Sequence, residues 1–316
     1  MREAEVIARL RRIATDPAAR GLLDDAAVLN GLVITHDTIA EGVHFLPFDP
    51  PASVGWKLVA VNLSDLAGKG ATPTGALLSL TLSADPEWDD AFLTGVEHAC
   101  ESYALPLIGG DTIALPEESP RVLGMTAIGR AGERVPARDG GKAGDALWLV
   151  GTVGDAAAGL SLLRADKSAV GPLVDIYRRP VPQLEAGRAL APHAHAMMDV
   201  SDGLLLDARR MADASGCAAL VELDKLPLSK EFQRLSGDSL FAATGGDDYA
   251  LLAALPHDFD PATLSLPPGT TITRVGSLEA GKPAIRLVSG GRPIEVPEKL
   301  GYEHRGPAAA PMADRP

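Results

Sequence analysis

Carboxylates recur along this chain in one kind of place: beside a turn residue and between apolar runs. The stretches are LLDDAAVL (Asp24, Asp25), THDTIAEGVHF (Asp37), NLSDLAGKGATP (Asp65), LIGGDTIA (Asp111), MMDVSDGLLL (Asp199, Asp202) and TGGDDYALL (Asp247, Asp248). Taken singly, each reads as a cap or a turn; Asp202 before Gly203 is a turn candidate and Asp37 an Asx-turn. Taken together they do not, because surface acids seldom recur so regularly between runs that must be buried. Asp65 poses the question most sharply, with VGWKLVAV just before its motif and GALLSLTL just after. A lone buried carboxylate is heavily penalised or gives up its charge. Two partners are open to it. Lys69 lies four residues on and can form an i,i+4 pair; a metal ion is the other, and the recurrence of acids favours it. Hard oxygen donors without clustered Cys or His select Mg²⁺, Mn²⁺ or Ca²⁺ over zinc. No EF-hand loop is present. Mg²⁺ keeps several waters and is completed by substrate phosphates, and this many carboxylates imply more than one ion.

The phosphate-binding loops that often accompany such ions do not occur in the sequence. GSLEAGKP (276–283) comes near a P-loop, but Pro283 stands where a hydroxyl should hold magnesium, and the β-rich IRLV follows. GTVGDAAAG after ALWLV lacks the G-x-G-x-x-G spacing and reads as a structural strand-to-helix turn.

The elements that must position the acids are mixed. The chain of 316 residues suits two domains of about 150 residues each. Its 46% hydrophobic and 22% charged residues mark an ordinary globular protein. There is no membrane-length apolar run. MREAEVIARLRRIAT is an amphipathic helix rather than a signal peptide, so a cytoplasmic location is expected. The formal net charge of −13 argues against a nucleic-acid footprint. It conflicts with an anionic substrate unless divalent metals intervene. Cys100 and Cys217 lie in unrelated contexts and read as reduced, buried thiols.

Strand-like AAVL and LVITHDTI are followed by a helix over 50–66. GALLSLTL reads as a strand, WDDAFLTGVEHACESYA as a helix, and PLIGGDT and RVLGMTAIGRAG as strands. Beyond a Gly- and Pro-rich boundary at 132–145 come the strand ALWLV, a helix after GTVGD and a helical segment near 183–190. AMMDVSDGLLLDARRMADASG reads as strand, turn and helix. A strand, a turn and a further strand are expected over 220–255, and two strands over 272–296. Without strict βαβ alternation the class is α+β, a mixed α/β architecture. The small-residue tail GPAAAPMADRP is expected to be disordered.

The ordered set LLDDAAVL, THDTIAEGVHF, NLSDLAGKGATP, LIGGDT, DVSDGL, GGDDYAL and a terminal GYEH resembles thiamine-monophosphate kinase, of the aminoimidazole ribonucleotide synthetase superfamily. The match spans about residues 5–305. GVHF and NLSDLA are its most specific parts. The resemblance implies two domains, 1–138 for ATP and Mg²⁺ binding and dimerisation and 139–305 as a C-terminal α/β domain, with 306–316 as tail. It implies a homodimer formed through N-terminal sheets. The implied reaction is ATP plus thiamine monophosphate giving ADP plus thiamine diphosphate, the last step of thiamine diphosphate biosynthesis. Carried over, Asp25, Asp37, Asp65, Asp111 and Asp199 hold Mg²⁺ ions, helped by Thr35 and His36, the latter through its backbone. Asp202 holds a further ion. Tyr103, Gly110, Asp111, Arg138 and Ser201 meet ATP, and His44, Asp247 and Tyr302 meet the thiamine substrate.

Four positions depart from the family pattern: Leu23 for Gly, His36 for Thr, Lys69 in NLSDLAGKGA for NLSDLAAMGA, and Asp247 for the Glu of GGEDYEL. The acceptor is a phosphate oxygen, already anionic at neutral pH, so transfer needs positioning and charge neutralisation rather than a strong base. Among related enzymes, selenophosphate synthetase would want a reactive Cys near the N-terminus, and none precedes Cys100. A hydrogenase-maturation relative would want a C-terminal Cys where the chain reads PMADRP. A non-catalytic metal-binding protein would not need Arg138 and Tyr103 beside the acids.

Overall fold

The computed structural model describes residues 3–116 and 119–304. The first half runs α1 (Glu3–Leu10), β1 (Ala27–Leu29), β2 (Leu32–Ala40), α2 (Pro51–Gly68), β3 (Thr72–Leu82), α3 (Pro86–Ser102), β4 (Leu107–Ala114) and β5 (Val122–Arg130). Its five strands form one sheet in the order β1-β2-β5-β3-β4. Only β3 and β4 are parallel, and α3 supplies the crossover that a parallel pair requires. The second half runs β6 (Ala146–Val150), α4 (Asp155–Ala165), α5 (Pro172–Arg178), α6 (Leu184–Leu190), β7 (Ala196–Val200), α7 (Leu204–Ser215) and β8 (Ala218–Glu222). It continues with α8 (Lys230–Leu235), α9 (Ser239–Thr244), β9 (Ala250–Leu255), β10 (Ile272–Glu279), β11 (Ala284–Ser289) and β12 (Arg292–Ile294). Its seven strands are ordered β12-β11-β8-β10-β6-β9-β7, with β7, the aspartate-bearing strand, at one edge. Both sheets are largely antiparallel, as the mixed sequence pattern predicts.

Helix α2 joins the two halves. Pro51 opens it at a position where a missing N–H costs nothing, and Ser53 to Gly68 are buried almost without break. A helix buried on every side belongs in the middle of a structure, and α2 packs on β2 and β5 of one sheet and on β7 of the other. Glycines set how close it can come. A Cβ on Gly95 of α3 would lie 2.0 Å from the Ala52 carbonyl, and one on Gly68 3.0 Å from the Asp199 nitrogen. The second contact brings the C-terminal turn of α2 against the backbone of β7, one turn from Asp65.

The opposite face of the first sheet is open. Every residue of edge strand β4 is exposed, and Leu77, Leu107, Ile108 and Ile113 show between 38% and 60% of their surface.

Three expectations need correction. Residues 272–296 form three strands rather than two. The 220–255 region carries two short helices, α8 and α9, between its strands, and the seven-residue α5 has no counterpart in the sequence reading. Helices of six or seven residues complete too few turns to show a period. The near-P-loop stretch 276–283 is the end of β10 and its turn into β11, with no helix. The tail at 306–316 lies outside the described residues.

Candidate active site

Three elements converge on one point. Asp25 lies in the bend before β1, Asp65 on α2 and Asp199 on β7, and a carboxylate oxygen from each lies within 4.8 Å of the others. Asp65 and Asp199 are buried, and the Asp25 side chain is only 6% exposed. They sit at the base of a cleft of about 1420 Å³ that Asp37, His44, Arg138, Ser201, Asp202, Asp247 and Tyr302 also line.

Lys69 does not pair with Asp65. Its ammonium, fully buried, bonds Asp24, lies 2.8 Å from the second oxygen of Asp25 and donates to the Met197 carbonyl at 2.9 Å. The i,i+4 alternative therefore fails: Lys69 turns across the helix end toward the Asp pair. Asp24, one of the recurring acids, is taken up by Lys69 and Arg20. Asp65 instead accepts from the Thr35 hydroxyl.

The electrostatics follow from these partners. Burial alone would raise the Asp25 pKa, but Arg138 and Lys69 outweigh it and hold the carboxyl well below the usual range. Asp65 has no such cation. Burial first, then the charges of Asp37, Asp199 and Asp25, push it far up. Burial and Asp25 do the same to Asp199, and burial with Asp25 and Asp202 lifts Asp37 to about 6. The Asp65 and Asp199 side of the cluster thus lacks positive charge: the nearby cations Lys69 and Arg138 are both spent on the Asp24–Asp25 pair. Its donors are hard oxygens. Buried, under-neutralised carboxylates of this kind fit a divalent cation such as Mg²⁺.

The remaining expected residues divide into two groups. Asp202 faces the cleft while bonded to Arg210 at 2.6 Å, and Arg210 also holds buried Asp207 at 2.8 Å. Arg138 bonds Asp25. The His44 ring accepts from the Ala40 amide at 3.0 Å and lies 5.4 Å from the His304 ring. Tyr302 stands edge-on to His304, with ring centres 5.0 Å apart.

The second group lies elsewhere. The His36 ring bonds Thr126 at 2.9 Å on the exposed face of the sheet, opposite the acids. Asp111 and Gly110 are on exposed β4. Gly110 pairs with Leu78, Leu78 with Met125, and Met125 with Asp37, so three strand spacings, about 14 Å, separate this row from Asp37. Tyr103 caps α3 and packs on Trp56 at 5.6 Å. None of these four lines the cleft of its own chain. Asp248 is half-buried and accepts from the Gly154 and Ala156 amides at the start of α4.

Sequence reasoning missed Lys57, Arg210, Asp207 and His304. Lys57 pairs with Asp247, 190 residues away, which no local spacing announces, whereas Asp207 and Arg210 pair at a helical i,i+3 step. A GYEH ending did contain His304.

Comparison with known proteins gives the family. Residues 23–131 match the family model for the AIR synthase related protein N-terminal domain, and 142–283 the model for its C-terminal domain. Thiamine-monophosphate kinase of Salmonella typhimurium is 37% identical, over 90% of this chain and 91% of its own. The chain belongs to the thiamine-monophosphate kinase family. Among solved structures, AaThiL complexed with AMPPCP and TMP superposes with a TM-score of 0.83 at 31% identity, covering 96% of this chain and 97% of its own. The thiamine-monophosphate kinase of Stenotrophomonas maltophilia gives 0.73 at 35% identity, covering 91% and 95%. In this family member the first matched region holds the five-stranded sheet and the second holds β6 to β10 of the seven-stranded one; Asp25 and Asp65 come from the first and Asp199 from the second.

Proposed function

We propose that this chain transfers the γ-phosphate of ATP to thiamine monophosphate, giving thiamine diphosphate and ADP. The observation that carries the reading is the convergence of Asp25, Asp65 and Asp199, within 4.8 Å of one another, at the base of a cleft large enough for a nucleotide and a second substrate. The likeness to a structure complexed with AMPPCP and TMP supports both ligands.

Asp25, Asp65 and Asp199 would hold Mg²⁺, with Asp37 and Asp202 adjoining and Thr35 fixing Asp65. Mg²⁺ bound there supplies the charge that bare carboxylates cannot offer a phosphate. Arg138, anchored on Asp25, and Ser201 face the nucleotide. His44, Asp247 and Tyr302 face the thiamine moiety. The acceptor phosphate is ionised at neutral pH and needs no strong base. Among the described residues no histidine ring is hydrogen-bonded to a Ser or Cys side chain, so the reading is one direct in-line displacement rather than a phospho-enzyme.

We place the division between domains near residue 138, in the connection between β5 and β6. We also propose that a second copy covers the open face of the first sheet. An apolar edge strand as exposed as β4 needs cover, and Asp111, Gly110 and His36 lie on or beside that surface. Light scattering should then give a dimer at micromolar concentration; monomer alone would count against it.

The reaction is tested by incubating the protein with ATP, thiamine monophosphate and Mg²⁺. ADP and thiamine diphosphate should form in equal amounts, and neither without the metal. A γ-phosphate made chiral with oxygen isotopes should be transferred with inversion. Retention, or a labelled phospho-protein formed from ATP alone, would reject direct transfer even if the overall reaction held.

A further inference from the structure

Lys57 is a buried cation that the phosphoryl-transfer chemistry leaves without a role. It sits on α2, two turns before Asp65, with 2% of its side chain exposed. Its ammonium donates to the His44 carbonyl at 2.9 Å and to one oxygen of Asp247 at 2.9 Å. The Tyr177 ring covers it, with the nitrogen 4.2 Å from the ring centre.

The carboxylate it meets is fixed from several directions. The other oxygen of Asp247 accepts from the Tyr249 hydroxyl at 3.1 Å, and the Asp247 amide donates to the Ser201 carbonyl at 2.7 Å. Asp247 and Tyr249 both adopt left-handed backbone conformations, with φ of 70° and 49°. Non-glycine residues take such conformations at a cost, so the surrounding contacts must hold them there. Yet the Asp247 side chain stays 23% exposed, and it opens on the cleft. A carboxylate serving only to neutralise a buried lysine would not need that opening.

We propose that Lys57 is a positioning residue for the acceptor substrate. It ties the turn after β2, through His44, to the loop before β9, through Asp247. Two charge-assisted bonds from one buried ammonium fix the separation of two groups that face the cleft. Asp247 is thereby presented to a cationic, amino-bearing ring system, the chemistry of the thiamine moiety. The inference rests on the functional reading above.

The test is a cycle of Lys57→Met, Asp247→Asn and the double variant, with kcat and both KM values measured beside the wild type. Lys57→Met should raise KM for thiamine monophosphate about tenfold or more, the scale of a lost charged hydrogen bond, and shift KM for ATP by less than about twofold. In the Asp247→Asn background the same change should add less than about threefold, because the carboxylate it holds is gone. Tyr249→Phe removes only a hydroxyl and should raise the same KM by about threefold; it carries the test if Lys57→Met does not fold. Equal shifts in both KM values, full additivity in the cycle, or an unchanged acceptor KM in Tyr249→Phe would overturn the inference. A wild type that does not phosphorylate thiamine monophosphate would instead overturn the functional reading, and this inference with it.

Discussion

At one end of the cleft Asp65 and Asp199 are buried beside Asp25 and Asp37, with the available cations, Lys69 and Arg138, both committed to the Asp24–Asp25 side. At the other end Asp247 meets Lys57 and Tyr249 and is matched group for group. Both ends set acids against α2, but they resolve the charge differently. The first leaves negative charge for an external cation, so its carboxyl pKa values rise. The second is closed by the chain's own lysine, so its geometry is fixed whether or not a ligand is bound. A buried acid whose partner is absent is waiting for one; a half-buried acid whose partner is present is being aimed.

The largest expected effect breaks the first end. Asp65→Asn removes one oxygen donor charge while keeping shape and the Thr35 hydrogen-bonding geometry. Turnover should fall by about a thousandfold, the scale on which loss of one charge-stabilising group acts. Thermal stability without metal should be equal or higher, because one of several mutually repelling charges is gone. Kinetics and melting curves on the same preparation check both; near-normal turnover would remove Asp65 from the site.

A subtler effect follows from the raised carboxyl pKa values. Asp37 titrates at about 6 in the folded protein against an ordinary 3.8, and Asp65 and Asp199 are shifted in the same direction. A group whose folded pKa is raised binds more protons when folded. Its contribution to stability is present in full below about pH 4 and is lost as pH climbs through the folded value. The lowered Asp25 acts in the opposite sense at more acid pH. Without metal, wild-type stability should therefore decline, relative to Asp65→Asn, as pH rises from 4 through 6 and beyond. Mg²⁺ should remove the difference in slope. Denaturant melts across that range with and without the ion measure it, and parallel curves would show that the acids are not coupled.

The two ends also differ in how far the sequence reveals them. Asp25, Asp65 and Asp199 were legible because a carboxylate inside an apolar run is anomalous wherever it occurs, and LLDDAAVL, NLSDLAG and MMDVSDG each show the anomaly locally. Lys57 in VGWKLVAV is the same kind of anomaly, but its partner lies 190 residues away and nothing in either stretch names the other. Lys69 shows the reverse case. Helical spacing offered Asp65 as a partner, the less favoured of two alternatives, whereas packing against β7 turns the lysine to Asp24 and Asp25. The long elements followed from periodicity; α5, α8, α9 and β12 were too short to carry a period. The positions of Tyr103, Gly110 and Asp111 depend on strand order, and β4 at the sheet edge is a tertiary fact that no spacing encodes.

The smallest effect sharpens the second end. Asp247 stands where relatives are expected to carry the longer Glu, and its two oxygens already serve Lys57 and Tyr249. A carboxylate so occupied, on a short side chain, is placed to reach a ligand through a bridging water. Asp247→Glu adds one methylene from a backbone that the Ser201 carbonyl keeps in place. The longer chain can keep the lysine on one oxygen and carry the other into the cleft, replacing the water by a direct bond. KM for thiamine monophosphate should fall by about threefold, since a bridging water costs little to give up when its hydrogen bond is reproduced. KM for ATP should not move. The melting temperature should drop slightly, because Glu tolerates a left-handed backbone less well than Asp. In a Lys57→Met background the gain should vanish, because the added length then has no fixed origin. Equal changes in both KM values would place Asp247 away from the acceptor, and a gain that survives without Lys57 would mean that the loop, not the lysine, does the aiming.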